Sequence, residues 1–224
     1  MIPAFPVYLF DIDGTLLDSA EDICSAIQQV LIAHGSPPRD FEYLKSFVGL
    51  HLNECFRDAL PHFTPELSED LVRQYRTIYL DRCHQNTRVF PGVAEALAAL
   101  GGRKSTATTK GSVTTRAVLD QFRLLPHFDH VQGTDGFPCK PAPDVIFTAL
   151  TALGAKPEDC LFVGDSAADM EAGRAAGVKI CAVRYGYGHP GELARFDPDY
   201  WVDDLRQLAA TRPGGATAAS RKRE

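Results

Sequence analysis

The chain has 224 residues, 45% of them hydrophobic and 23% charged, and a formal net charge of -6. Such a length buries a sizeable core, as one large domain or one core carrying a smaller insertion, while the acidic balance argues against a nucleic-acid partner, which would need a basic face. No apolar run reaches the length of a membrane span, and no basic segment followed by an apolar stretch and cleavage site opens the sequence, so the expectation is a cytoplasmic chain with no membrane partner.

Val7 to Phe10 reads as a short strand buried on both faces, because a continuous apolar run between turn residues has nothing to offer solvent. It stops at Asp11-Ile12-Asp13-Gly14-Thr15, two carboxylates spaced by one residue, with a glycine free to take φ > 0. Ser19-x-x-Asp22 has capping-box spacing, and Asp18 reads as a structural cap. The helix that follows runs to about Ala33, with Ile23, Ala26, Ile27, Val30 and Leu31 on one face, and ends at His34-Gly35. From about Asp40 to Gln85 the apolar spacing stays helical, broken at Gly49, Pro61 and Pro65.

After Asn86 the pattern changes. Helices are predicted over Val93 to Leu100, Ser112 to Phe122, Pro143 to Leu153 and Ala167 to Ala176. Strands are predicted over Lys104 to Thr108, His130 to Gln132, Cys160 to Val163, Val178 to Val183 and Tyr200 to Val202, with a last helix after Asp203-Asp204. Strands alternating with helices of this length imply a doubly wound, Rossmann-like parallel sheet. The predicted organisation is an α/β core (1–18 and 88–210), an inserted all-helical cap (19–87) and a disordered tail (211–224). Six cysteines are scattered with no Cys-x-x-Cys pair, which signals neither a zinc knuckle nor a disulfide framework.

Four predicted strand ends carry polar groups: Asp11 with Asp13, Thr108-Thr109-Lys110, Lys140 in Cys-Lys-Pro-Ala-Pro-Asp, and Asp165 with Asp169 in Gly-Asp-Ser-Ala-Ala-Asp. Each alone is ordinary: a helix cap, a loop lysine, a threonine pair at a strand end. Together, at the carboxyl ends of parallel strands where open sheets bind ligands, they form a constellation. Paired carboxylates about 4 Å apart repel by roughly 4 kcal/mol at an effective dielectric of 20, so a cation or a proton must lie between them.

The string from Phe10 to Asp18, followed in order by the other three motifs, resembles the haloacid dehalogenase (HAD) superfamily, and Val89-Phe90-Pro91-Gly92-Val93 looks like its phosphoglycolate phosphatase branch. The resemblance implies a phosphatase acting on a small phosphorylated metabolite. Asp11 would be the nucleophile and Asp13 the general acid and base. Mg²⁺ would be held by Asp11, Asp165 and the backbone carbonyl of Asp13, and Asp169 would orient Lys140 or metal-bound water. Thr108, Thr109 and Lys140 would face the phosphoryl oxygens, although the family often has Asn where Thr109 stands. An acid at Asp13 argues against a dehalogenase, since a departing halide needs no proton. The helical insert falls where the superfamily carries a cap. Gly49 to His51 is its candidate substrate-reading loop, and Lys45, His51, Arg57, Arg76, Arg82 and His84 are possible contacts competing with a reading as solvated helix charges. A phosphomutase of the same superfamily and a phospho-accepting signalling module are the alternatives. The latter is disfavoured by the chain's length, the insert and the second aspartate.

Overall fold

The four apolar residues Val7–Phe10 form β1, and every one of them is buried. The structure is a computed structural model that describes residues 2–82 and 84–209. After β1 come β2 (Leu17–Asp18) and four helices: α1 (Ala20–Ala33), α2 (Phe41–Lys45), α3 (Leu52–Ala59) and α4 (Pro65–Asp81). The chain then returns through β3 (Arg88–Val89) and alternates: α5 (Val93–Ala99), β4 (Arg103–Thr106), α6 (Ser112–Gln121), α7 (Asp144–Leu153), β5 (Cys160–Gly164), α8 (Ala167–Ala176), β6 (Lys179–Val183), α9 (Pro190–Leu193) and β7 (Tyr200–Val202). Strands β4-β1-β5-β6-β7 make one parallel sheet in that order, and β2 pairs antiparallel with β3. This is the expected α/β doubly wound core. Chain order reverses direction across β1 and β5, and the crevice outside their carboxyl ends is where such sheets bind ligands.

Alternation along β1 feeds two cores. Tyr8 and Phe10 join a cluster with Ile27 and Leu31 of α1 and Leu71 and Tyr75 of α4. Val7 and Leu9 join the other, with Ile146 of α7 and Met170 of α8. The helical layer over residues 20–81 is therefore packed into the same apolar cluster as one face of the sheet. No helix among the described residues is long and apolar enough to cross a membrane.

Several sequence expectations are corrected. Ser19 stands at the N-cap of α1 but makes no side-chain capping bond. Its hydroxyl donates instead to Asp13 Oδ1 at 2.6 Å. Asp22 is fully buried and accepts from the backbone N–H of Asn86 and Thr87 and from the Thr87 hydroxyl, at 2.7–3.0 Å. The helix tolerates this because a cap contributes about 1 kcal/mol, whereas burying each of Ile23, Ile27, Val30 and Leu31 contributes about 1.5–3 kcal/mol. Asp18 is not a helix cap either: it accepts from the Tyr187 hydroxyl at 2.9 Å. His130 to Gln132 makes only an isolated bridge to Ser105, since the Thr106 hydroxyl takes over both Gln132 backbone groups at 2.8 Å. The last predicted helix is one 3₁₀ turn, Leu205–Leu208. The tail expected over 211–224 lies outside the described residues.

Candidate active site

β1 and β5 run side by side, and the Asp11 N–H bonds to the Val163 carbonyl at 2.9 Å, so the ladder continues one residue past β1. That extension brings Asp11 and Asp165 to the same sheet edge. Gly14 lets the chain turn over them: its φ is +90°, and a Cβ there would lie 2.2 Å from Asp165 Oδ2. Only glycine fits both the backbone conformation and the approach.

Four carboxylates are buried at this edge: Asp11, Asp13, Asp165 and Asp169. Lys140, 1% exposed, crosses from the loop before α7 and donates to Asp11 Oδ1 at 2.7 Å and to Asp169 Oδ1 at 2.5 Å. The other Asp169 oxygen accepts from the Ser166 backbone and hydroxyl, completing the capping box that opens α8. Asp165 accepts from the Thr15 hydroxyl and from the Tyr187 N–H, at 2.9 and 2.8 Å. Asp13 turns away from this group: Ser19 holds Oδ1, and Lys110 Nζ lies 3.2 Å from Oδ2. Lys110 also sits 4.3 Å from the ring centroid of Tyr79 of α4, a cation–π contact that seats the ammonium between the helical layer and the core.

Electrostatics follows from this crowding. Burial, reinforced by Asp169 and Asp11, pushes the Asp165 carboxyl up to about 8. Burial also raises Asp11 to about 6, opposed by Lys140 and assisted by Asp169 and Asp13. Burial alone would lower Lys140 and Lys110, but the facing carboxylates outweigh it and hold both ammonium groups above their ordinary value. Four carboxylates against two ammonium groups leave an excess of negative charge. Ligand oxygens of Asp11, Asp165 and Asp169 lie within 4.8 Å of one another. An all-oxygen donor set with that excess suits a hard divalent cation. The Asp13 carboxylate is engaged elsewhere, by Ser19 and Lys110.

Beside Asp11 and Asp13 opens a cavity of about 310 Å³. Thr108, Thr109 and Lys110 line its core side. The Thr109 hydroxyl donates to the Gly49 carbonyl at 2.8 Å, linking the core to the Val48–Leu50 stretch that lines the opposite wall. Of the six side chains proposed from sequence as contacts, only His51 and Arg76 line this cavity. Lys45 lies over the Tyr187 ring, Arg57 over Phe63, Arg82 reaches toward Asp22, and the His84 ring packs on Tyr79.

Sequence reasoning assigned no site role to Lys110, Thr15 or Tyr187, and gave Ser19 only that of a helix cap. Lys110 stood in the Thr-Thr-Lys string itself, but its partners Asp13 and Tyr79 are far off in sequence. The signal for Tyr187 was the Tyr185-Gly186-Tyr187-Gly188 run after a strand: a Cβ at Gly186 would lie 2.2 Å from Asp165 Cβ, so the loop crosses directly over that carboxylate.

Residues 8–183 match the model of the haloacid dehalogenase-like hydrolase family. The chain is 34% identical to phosphoglycolate phosphatase 1 of Pseudomonas aeruginosa over 210 residues, covering 89% of this chain and 77% of that protein. It is also 34% identical to the N-acetylmuramic acid 6-phosphate phosphatase of the same organism over 215 residues, covering 89% and 91%. Among solved structures, a haloacid dehalogenase-like family hydrolase from Streptococcus pneumoniae superposes with a TM-score of 0.82 at 25% identity, covering 92% of this chain and 97% of the other.

Proposed function

The chain belongs to the haloacid dehalogenase-like hydrolases and is a phosphatase, and from that premise we propose that it hydrolyses a small phosphomonoester in two displacements through a phosphoryl group carried on Asp11. One observation carries the reading: Asp11 presents one oxygen to Lys140 and opens onto the cavity. With Oδ1 held, Oδ2 is the oxygen free to attack phosphorus. The P–O bond to the leaving group breaks as the aspartyl P–O bond forms, and Asp13 gives the departing oxygen its proton. Asp13 then takes a proton from water, which attacks phosphorus and returns Asp11 to its carboxylate.

Around this exchange the proposed roles follow reach and charge. Lys140 neutralises charge near the transferring oxygens and keeps Asp11 aligned, while Asp169 holds Lys140 in place through its remaining carboxylate oxygen. Thr108, and in part Thr109, would meet the phosphoryl oxygens. Lys110 and Ser19 together fix the plane of the Asp13 carboxylate. Mg²⁺ is the proposed cation, held by Asp11, Asp165 and the Asp13 carbonyl, and when bound it would offset the negative charge shared by carboxylates and phosphate. Thr15 and Tyr187 orient Asp165 for that task.

The helical layer over residues 19–87 is proposed as a cap that excludes water from the cavity and meets the leaving group. Phosphoglycolate and N-acetylmuramic acid 6-phosphate, the compounds named for the two relatives, mark the ends of the substrate panel to be tried. The decisive test is acid-quenched single turnover with an aryl phosphate and Mg²⁺, reading protein-bound phosphate by mass. The wild-type chain should show a transient adduct on the peptide containing Asp11. Asp13→Asn should accumulate it, for want of a base to activate water, and Asp11→Asn should show none. An adduct in Asp11→Asn, or none in Asp13→Asn, would overturn the assignment.

A further inference from the structure

Asp11 and Thr108, with Lys140 bonded to Asp11 from behind, account for the phosphoryl end of the cavity, but most of its remaining wall comes from the helical layer and is apolar, with Ile23, Ile27, Phe47, Val72 and Tyr75 facing it. A second, open cleft of about 630 Å³ lies on the surface between α3 and α4, and His51, Val72 and Arg76 line both spaces. Those three residues therefore stand where the inner cavity meets the outer cleft. Cavities that bury a drug-sized ligand begin at about 300 Å³. A two-carbon acid would leave most of this one to water against apolar walls.

The chemistry at the junction is distinctive. His51 is the N-cap of α3, and its Nδ1 accepts the Asn53 N–H at 3.1 Å. Burial and the neighbouring Arg76 and Arg57 lower its pKa, against Glu54, so the ring is neutral and its Nε2–H is the donor left over. Arg76 is exposed, and no carboxylate among the described residues lies within ion-pair distance of it. Its guanidinium reaches from α4 toward the opposite loop: a Cβ at Gly111 would lie 3.8 Å from Arg76 Nη2 and 3.2 Å from Asp135 Oδ1, a carboxylate that accepts the Ser112 N–H and lies outside ion-pair distance of Arg76. An unpaired arginine on a helix surface is usually solvated. This one lines both the largely apolar cavity and the outer cleft beside His51, with the nearby Asp135 carboxylate bound to the Ser112 N–H instead.

We infer that this junction reads the far end of the substrate: the leaving group is longer than a two-carbon acid, apolar along the inner wall, and ends in an anionic group that takes the Arg76 guanidinium and the His51 Nε2–H. The inference rests on the phosphatase reading above. It assigns Arg76 as a specificity residue, a fork of donors suited to a carboxylate or sulfonate.

The test is a molecular ruler. Phosphate release is measured for ω-carboxyalkyl phosphates of increasing length, beginning with phosphoglycolate, and for unbranched alkyl phosphates of matching length. An aryl phosphate reports on the core machinery. With the wild-type chain, kcat/KM should climb by about threefold to fourfold per added methylene, the usual worth of burying one, until the carboxylate reaches the junction. There it should exceed the matching alkyl phosphate by roughly 10- to 100-fold, as expected of a charge-assisted hydrogen bond. Arg76→Gln should collapse that ratio, mainly through KM, and Arg76→Lys should restore part of it. A series in which phosphoglycolate is the best member would overturn the inference, as would equal losses on charged and neutral esters in Arg76→Gln, even though the aryl phosphate is still hydrolysed. Absence of release from every ester, the aryl phosphate included, would overturn the phosphatase reading and this inference with it.

Discussion

The two walls of the cavity are built on opposite principles. On the core side, Asp11, Asp13, Asp165 and Asp169 are buried and held by named donors, most from backbone or side chains of other elements. On the helical side the wall is mainly apolar, with Arg76 at its edge lacking an ion-pair partner among the described residues. The difference separates two tasks. A densely bonded network fixes geometry to tenths of an ångström, which the proposed displacement at phosphorus needs, and it has little freedom to vary. An apolar wall with a spare cation accepts changes of leaving group at modest cost.

The largest effects should come from the core wall and ignore the leaving group. Asp11→Asn should lower turnover by at least on the order of 10⁴-fold on every ester tried, as loss of a nucleophile does. Steady-state phosphate release across the panel checks this, and losses that varied strongly with the leaving group would break the division between walls. Chelation should abolish turnover and Mg²⁺ restore it, which release assays with and without excess chelator would show.

Chelation also exposes a pH dependence of stability. Asp11 and Asp165 are raised to about 6 and about 8 in the folded chain, above the value near 4 of an unfolded carboxyl. The folded state therefore binds more protons, so this contribution is fully present below about pH 4 and lost as pH rises through about 6 and then about 8. The melting temperature of the chelated protein should fall by roughly 5 °C or more between pH 5 and pH 8.5. Added Mg²⁺ should flatten the slope, and a profile unaffected by Mg²⁺ would remove the cation from this cluster.

Smaller effects should come from contacts that join the walls. Lys110→Met keeps the packing on Tyr79 but frees Asp13 Oδ2, so kcat should fall by about 10- to 100-fold for esters with basic leaving groups and less for an aryl phosphate. An equal loss on both would make Lys110 a general charge carrier and not a positioning residue for Asp13. Smallest is Thr109→Val, which removes one hydrogen bond to Gly49, worth about 1 kcal/mol. KM should rise by roughly two- to fivefold with kcat nearly unchanged. A larger fall in kcat would show that Thr109 serves the phosphoryl group directly.

What the sequence made legible was local. Four consecutive apolar residues sufficed for β1, since a central parallel strand is buried on both faces. The order of motifs after it sufficed to bring Asp11, Lys140, Asp165 and Asp169 to one sheet edge. What stayed hidden depends on partners far along the chain. Ser19-x-x-Asp22 has the spacing of a capping box, yet both side chains found buried partners outside the helix, Asp13 and Thr87. His130 to Gln132 has strand-like composition, but the Thr106 side chain competes for its backbone. Which of the six Lys, Arg and His side chains of the helical layer would face the cavity was equally illegible, because it depends on how α3 and α4 turn against α1.

The short ribbon of β2 and β3 has a consequence for how this molecule can change. Leu17 pairs with Val89 and Asp18 with Arg88, so the long helical excursion leaves the sheet and rejoins it at neighbouring points. Asp22 clasps the returning strand just beyond that pair. Seen from the sheet, the excursion is a single insertion on a two-stranded stalk, and closing a long loop costs only slightly more than closing a short one. Helices can be lengthened, exchanged or recombined there as a cassette, with both splice points on the stalk, while the strand ends that carry the buried carboxylates keep their register. The same carboxylate-bearing edge can thus be inherited unchanged by descendants with quite different appetites.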